Sequence, residues 1–338
     1  MTDSSPSASA PPPPEDLGKA PSPAPQGTPR VAVLMATYNG ASRLQAQLDS
    51  FAAQALAPAR ILVSDDGSVD ATKALVEDFG AAHPALGVRL LAGPCRGAAQ
   101  NFLSLLRQVP EDVDLVALSD QDDVWLPDRL SRAAAALEAA EARLGAAHPV
   151  LHCGRSWECN DSLSRRRLSR DQRRPPGFRH ALVQNIAGGN TMTLNRAAWQ
   201  LVAEAAAEAR EVVVHDWWIY QIVTGAGGEV LFDRAPLLLY RQHGENVIGA
   251  NRGPRAKVRR LRHMLSGGFS DWNTVNIRAL SASAPRLTPE NRALLEALRE
   301  GRQGSLPRRL AMLRRTGVYR QGLEGRLSLL LTVLLGRL

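Results

Sequence analysis

Four short apolar runs punctuate the first third of the chain, and three of them end in a polar or acidic cluster. Val31-Ala-Val-Leu-Met-Ala36 runs into Thr37-Tyr-Asn-Gly40, and Ile61-Leu-Val63 into Ser64-Asp-Asp-Gly-Ser68. Residues 88–91 form the third run, and Leu115-Val-Ala-Leu118 leads into Ser119-Asp-Gln-Asp-Asp-Val-Trp125. Helix-length stretches lie between them. Leu44, Leu48 and Phe51 recur at helical spacing, a second helix extends to Phe79 with Asp70 or Ser68 as its N-cap, and a third covers residues 97–106. Strands alternating with helices in this way predict βαβ units and a mostly parallel sheet. Right-handed crossovers then bring every strand's C-terminal end to one edge, where open α/β sheets bind ligands.

The acids of the fourth cluster constrain the chemistry. Asp120, Asp122 and Asp123 fall within four residues, and close-set carboxylates repel unless a cation or partner neutralises them. Hard oxygen ligands suit Mg²⁺ or Mn²⁺, and Mg²⁺ commonly binds one or two carboxylates together with substrate phosphates. The plainer alternative is a solvated acidic turn before the helix that starts near Leu126-Pro-Asp128. A parallel sheet would bring Thr37, Tyr38 and Asn39, Asp65 and Asp66, and Asp120, Gln121 and Asp122 into one cleft. A nucleotide suits that cleft, with a carboxylate accepting from a base or ribose and a metal neutralising the diphosphate. Neither a Gly-x-Gly-x-x-Gly nor a Walker-type loop is present, so the phosphates must be met by metal and basic side chains.

Further along, residues 128–144 predict an Ala-rich helix, 150–153 a strand, and 164–179 a basic surface loop. Residues 186–194 are Gly-broken and then strand-like, 196–210 helical, and 230–232 and 236–240 read as two closing strands. Residues 1–29, rich in Pro, Ser and Ala, read as a disordered leader. From Asn251 onward there are 18 Lys and Arg against 5 Asp and Glu, a balance of +13, whereas residues 1–250 carry 23 against 28, or −5. A basic helical extension therefore follows a mildly acidic body, which suggests an anionic surface as its partner. Packing of those helices on the body with solvated arginines is the alternative. Three cysteines without zinc-type spacing point to a reducing compartment. With no secretory-signal pattern and no apolar run of spanning length, the expected location is cytoplasmic, peripheral on the inner face of the membrane.

Ala36-Thr-Tyr-Asn-Gly40, Ser64-Asp-Asp-Gly-Ser68, Asn101-Phe102 and Ser119-Asp-Gln-Asp-Asp-Val-Trp125 resemble the inverting family 2 glycosyltransferases of GT-A fold. His215-Asp-Trp-Trp218 and Tyr240-Arg-Gln-His-Gly-Glu-Asn246 are similar to their bacterial rhamnosyltransferase branch. The resemblance covers residues 30–250. It implies an α/β, Rossmann-like catalytic domain there, a nucleotide-diphosphate sugar as donor, and a saccharide or lipid-linked acceptor in cell-surface polysaccharide synthesis. It also implies that Thr37 lies against the nucleotide, that Asp66 or Asp65 reads the base, and that Tyr38, Asn39, Asn101 and Gln121 share the donor side. Asp120 and Asp122 would hold metal, ribose and diphosphate, with His243 beside them and Asp216 as catalytic base. Gly189, Asn190, Trp217 and Trp218 fall on the acceptor side, although both tryptophans, like His215, also read as core residues. A nucleotidyltransferase would need a Gly-rich phosphate loop that Met35-Ala-Thr-Tyr-Asn39 lacks. A nucleic-acid-binding protein would leave the acidic cleft unexplained, so nucleic acid is not expected as a partner.

Overall fold

A computed structural model describes residues 27–242 and 268–338. In the first third, strand and helix alternate as the pattern predicts: β1 (Val31–Thr37), α1 (Ala41–Ala52), β2 (Arg60–Asp65), α2 (Thr72–Ala82), β3 (Val88–Ala92), α3 (Ala98–Leu106) and β4 (Leu115–Ser119). The order β3-β2-β1-β4 is parallel throughout. Both faces of this sheet are covered, which is why its strands are continuously apolar. Ala32 and Leu34 of β1 pack with Phe102 and Leu103 of α3. Val31, Val33 and Met35 point the other way, toward Leu44, Leu48 and Phe51 of α1.

Beyond β4 the sheet becomes mixed. The remaining strands are β5 (Val124–Trp125), β6 (Val150–Cys159), β7 (Arg166–Leu168), β8 (Thr193–Leu194) and β9 (Glu229–Arg241). The sheet continues β4-β8-β6-β9-β5, with β7 paired on β6. Only β6 and β9 run parallel in this half; β8 is antiparallel to both β4 and β6. The two closing strands expected at 230–232 and 236–240 are one strand, interrupted by register shifts opposite Gly154 and Arg155, where Pro236 is accommodated. The basic segment expected as a loop contains β7 and the short helix α5 (Phe178–Ala181). Helices α4 (Arg129–Leu144), α6 (Arg196–Glu208) and α7 (His215–Gly225) complete this part.

Neither Asp70 nor Ser68 occupies the N-cap position of α2, which is Ala71. Asp70 nonetheless accepts from the Thr72 N–H at 3.0 Å, while the Ser68 hydroxyl is committed to Asp65.

Helices α8 (Gly268–Ala282), α9 (Pro289–Gly301), α10 (Leu306–Thr316) and α11 (Gly322–Leu334) pack on the α/β body. Leu280, Leu298, Met312 and Val333 belong to the same core as α3, α6 and α7. Arg286 pairs with Glu208 at 2.8 Å and with Glu204, both on α6. Asn291 Nδ2 donates to the Thr224 and Gly225 carbonyls that end α7. No described helix is long and apolar enough to cross a membrane. The leader through residue 26, His243 and the basic stretch 255–265 lie outside the described residues.

Leu34 is wholly buried at the centre of this sheet. Leu34→Ala is expected to lower unfolding free energy by about 2–5 kcal/mol, measured by urea titration.

Candidate active site

The ends of β1 and β2 are tied together before any ligand arrives. Asp65 is buried, and its carboxylate accepts from Thr37 Oγ1 at 2.9 Å, Ser68 Oγ at 2.5 Å, Ser68 N at 2.8 Å and Gly67 N at 3.2 Å. Asn39 sits at φ 45°, where an Asn is tolerated. Its N–H donates to Ser68 Oγ at 2.8 Å and its Oδ1 accepts from Val69 N at 3.0 Å. Thr37, Asn39 and Asp65 are therefore the frame of the cleft.

Asp66 points elsewhere, accepting from the backbone N–H groups of Cys95 and Gly97, each at 2.7 Å. Each of its oxygens keeps a further lone pair. Asn101 is buried, with its Nδ2 donating to the Ser64 carbonyl at 2.8 Å, and so braces β2 from behind. Tyr38 is 59% exposed at the edge, and its backbone is clasped by Gln121: Tyr38 N donates to Oε1 at 2.9 Å and Nε2 donates to Tyr38 O at 3.0 Å. Gly40 permits this clasp, because a Cβ there would overlap Gln121 Oε1.

At the end of β4 the three acids separate. Asp120 is partly buried, and its carboxyl is raised to about 7 by burial, then by the charges of Asp122 and Asp216. Asp123 is wholly buried and turns inward. It accepts from Asn190 Nδ2 at 2.5 Å and from Arg241 N at 3.2 Å, while burial and the two other acids hold its carboxyl well above the ordinary range. Beneath it lies Arg129, also wholly buried. Its Nη2 donates to the carbonyls of Asn190 at 2.7 Å, Leu118 at 3.1 Å and Met192 at 3.3 Å, and the guanidinium lies 3.5 Å over the Trp125 ring. Burial lowers the Arg129 pKa to about 9, opposed by the Asp123 charge. Arg241 Nε donates to Asp122 O at 2.8 Å and fixes the outward acids from the far strand.

The residues expected on the acceptor side meet the first turn of α7. Asp216 accepts from Gly189 N at 3.1 Å and Trp217 N at 2.6 Å, and these donors with Asn185 partly offset the burial that raises its carboxyl to about 6. A negative group in the first turn of a helix is also favoured by the helix dipole. His215 is buried and stacked on Phe102 at 3.8 Å, and burial lowers its pKa to about 3, so it is a neutral packing residue. A Cβ on Gly189 would overlap His215 Nε2, so the loop meets the helix only as glycine.

All four residues expected on the acceptor side, Gly189, Asn190, Trp217 and Trp218, are inside the protein. Trp217 is buried, with its Nε1 donating to Ala181 O at 2.6 Å, and Trp218 is fully buried. Their place is the core because α7 is apolar around nearly its whole circumference. Asn190 is buried behind the acids as the partner of Asp123. The structure thus brings Asp120, Asp122 and Asp216 together and adds Arg129 and Arg241, which the motif reading did not single out. One signal for Arg129 was present: a cation in the first helical turn opposes the helix dipole and needs another reason to be there.

The outward acids fit a divalent cation. Burial, and after it the charge of Asp122, raises Asp120, and a cation between Asp120 and Asp122 would offset both. No group of three or more His, Cys, Asp or Glu side chains with metal-holding geometry occurs among the described residues. Two carboxylates completed by phosphate and water oxygens match the usual Mg²⁺ pattern.

A carboxyl raised on folding binds its proton more tightly in the folded state. It therefore favours folding most below the ordinary carboxylate value and opposes it as pH rises to about 6. The Tm difference between Asp216→Asn and wild type is expected to shift in the variant's favour between pH 4 and 7. A constant difference across thermal melts in that range would rule out the raised carboxyl.

A dTDP-rhamnosyl transferase of Shigella flexneri, RfbG, is 29% identical over 235 residues, covering 67% of this chain and 78% of its own. S. aureus TarS 1-349 in complex with UDP-GlcNAc superposes with a TM-score of 0.51 at 17% identity, over 86% of this chain and 93% of its own, and shares the GT-A fold. A mannosyltransferase of Pyrobaculum calidifontis, solved with GDP-Man and Mn²⁺, is 21% identical over 94% of this chain and 88% of its own, with a TM-score of 0.49. The sequence profile of Glycosyl transferase family 2 matches residues 32–202, just over half of the chain, and the chain belongs to that family.

Proposed function

We propose that the protein is an inverting transferase that moves rhamnose from a nucleotide-diphosphate sugar, of dTDP-rhamnose type, to a saccharide or lipid-linked acceptor in cell-surface polysaccharide synthesis. The observation that carries this reading is the convergence of Asp216 with Asp120 and Asp122 at the carboxyl edge of the sheet. Rhamnose as the sugar is supported by the similarity to the Shigella protein. As a glycosyltransferase, the chain departs from the nucleotidyltransferase and nucleic-acid-binding alternatives.

Asp216 acts as general base. With its pKa raised to about 6 it is ionised at neutral pH yet basic enough to take a proton from an acceptor hydroxyl. The hydroxyl oxygen attacks the anomeric carbon, the bond to the diphosphate breaks on the opposite face, and the nucleoside diphosphate leaves with the electron pair. The N–H groups of Gly189 and Trp217 keep the carboxylate aimed during this transfer. Asp120 and Asp122 would hold Mg²⁺ or Mn²⁺, joined by His243, and the cation supplies charge neutralisation of the leaving diphosphate. Tyr38 offers the exposed ring, and Asp66 the free lone pairs, for the nucleoside.

Hydrolysis of a panel of nucleotide sugars, with Mn²⁺, Mg²⁺ or EDTA, tests the reaction. One donor is expected to release nucleoside diphosphate only with metal, and Asp122→Asn is expected to lose both that release and the metal-dependent rise in Tm produced by the nucleotide. Turnover independent of EDTA would overturn the metal role. Asp216→Asn should still bind the donor while turning over about 10²–10⁴-fold more slowly. In wild type the rate should rise with pH through about 6 and then level, because the base must be ionised. A rate that is flat across that range would remove Asp216 from the role.

A further inference from the structure

Helix α11 buries one side and leaves the other bare. Leu329, Thr332 and Val333 are buried against the body, whereas Leu323, Leu327, Leu330, Leu331, Leu334 and Leu335 are 37–72% exposed. At helical spacing these six leucines fall within one arc of roughly 140°. A contiguous apolar face of this kind marks an interaction site, unlike scattered surface leucines.

The surroundings of the face are cationic. Residues 306–338 contain seven arginines and one acid, Glu324, which lies 3.8 Å from Arg170. Arg326 flanks the leucine arc, Arg337 follows the helix, and Arg308, Arg314 and Arg315 of α10 are exposed. Arg309 Nη2 donates to Leu334 O at 3.1 Å, which binds the arginine-rich helix to the leucine-bearing one. Thirteen residues are too few to span a bilayer.

We propose that α11 docks the protein on an anionic lipid surface, lying in the plane of the interface with its leucines at the headgroup boundary and the arginines on lipid phosphates. A second copy of this chain fits the face less well, because each copy would set its exposed Arg308, Arg314, Arg315, Arg326 and Arg337 against the other's with a single acid in the region to receive them. Nucleic acid would meet the arginines but leave the leucines in water. The inference stands independently of the proposed reaction.

The full chain is to be sedimented with phosphatidylcholine vesicles, with and without phosphatidylglycerol. It is expected to pellet only when the anionic lipid is present, and less as salt rises. The double substitution Leu327→Asp and Leu334→Asp changes two exposed side chains, so the fold and donor hydrolysis should be unaffected, while the vesicle affinity falls at least about tenfold. Circular dichroism verifies the fold. Three results overturn the proposal: no pelleting by wild type, equal pelleting by the variant, or a wild-type dimer that the double substitution dissociates.

Discussion

Asp120, Asp122 and Asp123 repel one another along four residues of chain, and the arrangement of the cleft follows from how that repulsion is divided. Asp123 turns into the protein, where the Asn190 amide, the Arg241 N–H and the buried charge of Arg129 meet it. Asp120 is left facing the charges of Asp122 and of Asp216 across the cleft. A buried guanidinium is expensive to desolvate, and here hydrogen bonds to three carbonyls and the face of Trp125 offset that cost. The inward half of the motif is thus satisfied within the fold.

Much of the donor edge was legible because its strands are covered on both faces and read as unbroken apolar runs. The parallel pairing of the quartet followed from the βαβ spacing, whereas its order, β3-β2-β1-β4, was not read from it. The mixed half was not legible for equally physical reasons: β5 and β8 are two residues each, too short to carry a period, and the bulge at Pro236 divides one strand into two apolar segments. Trp217 and Trp218 follow Asp216 directly in sequence. In α7 every residue from Trp217 to Gly225 is buried, however, so proximity along the chain says nothing about exposure to the cleft.

Site chemistry was legible at the level of residue type and less so at the level of role. Adjacent acids on a strand end point to different sides, and the sequence reading put Asp66 at the base with Asp65 as the alternative. The structure separates them: Asp65 spends its oxygens on Thr37, Ser68 and Gly67, whereas Asp66 organises the loop after β3 and keeps acceptor capacity. The motifs expected on the donor side are in good part scaffolding, with Tyr38 exposed and Asp66 half-buried.

Arg129 serves two territories at once. Its donors reach the end of β4, which carries the outward acids, and the carbonyls of Asn190 and Met192, which follow the loop that meets Asp216. A chimaera that swapped residues 186–194 for those of a relative would import a loop shaped around that relative's own residue at position 129. The exchangeable module is therefore larger than the loop and is not contiguous in sequence.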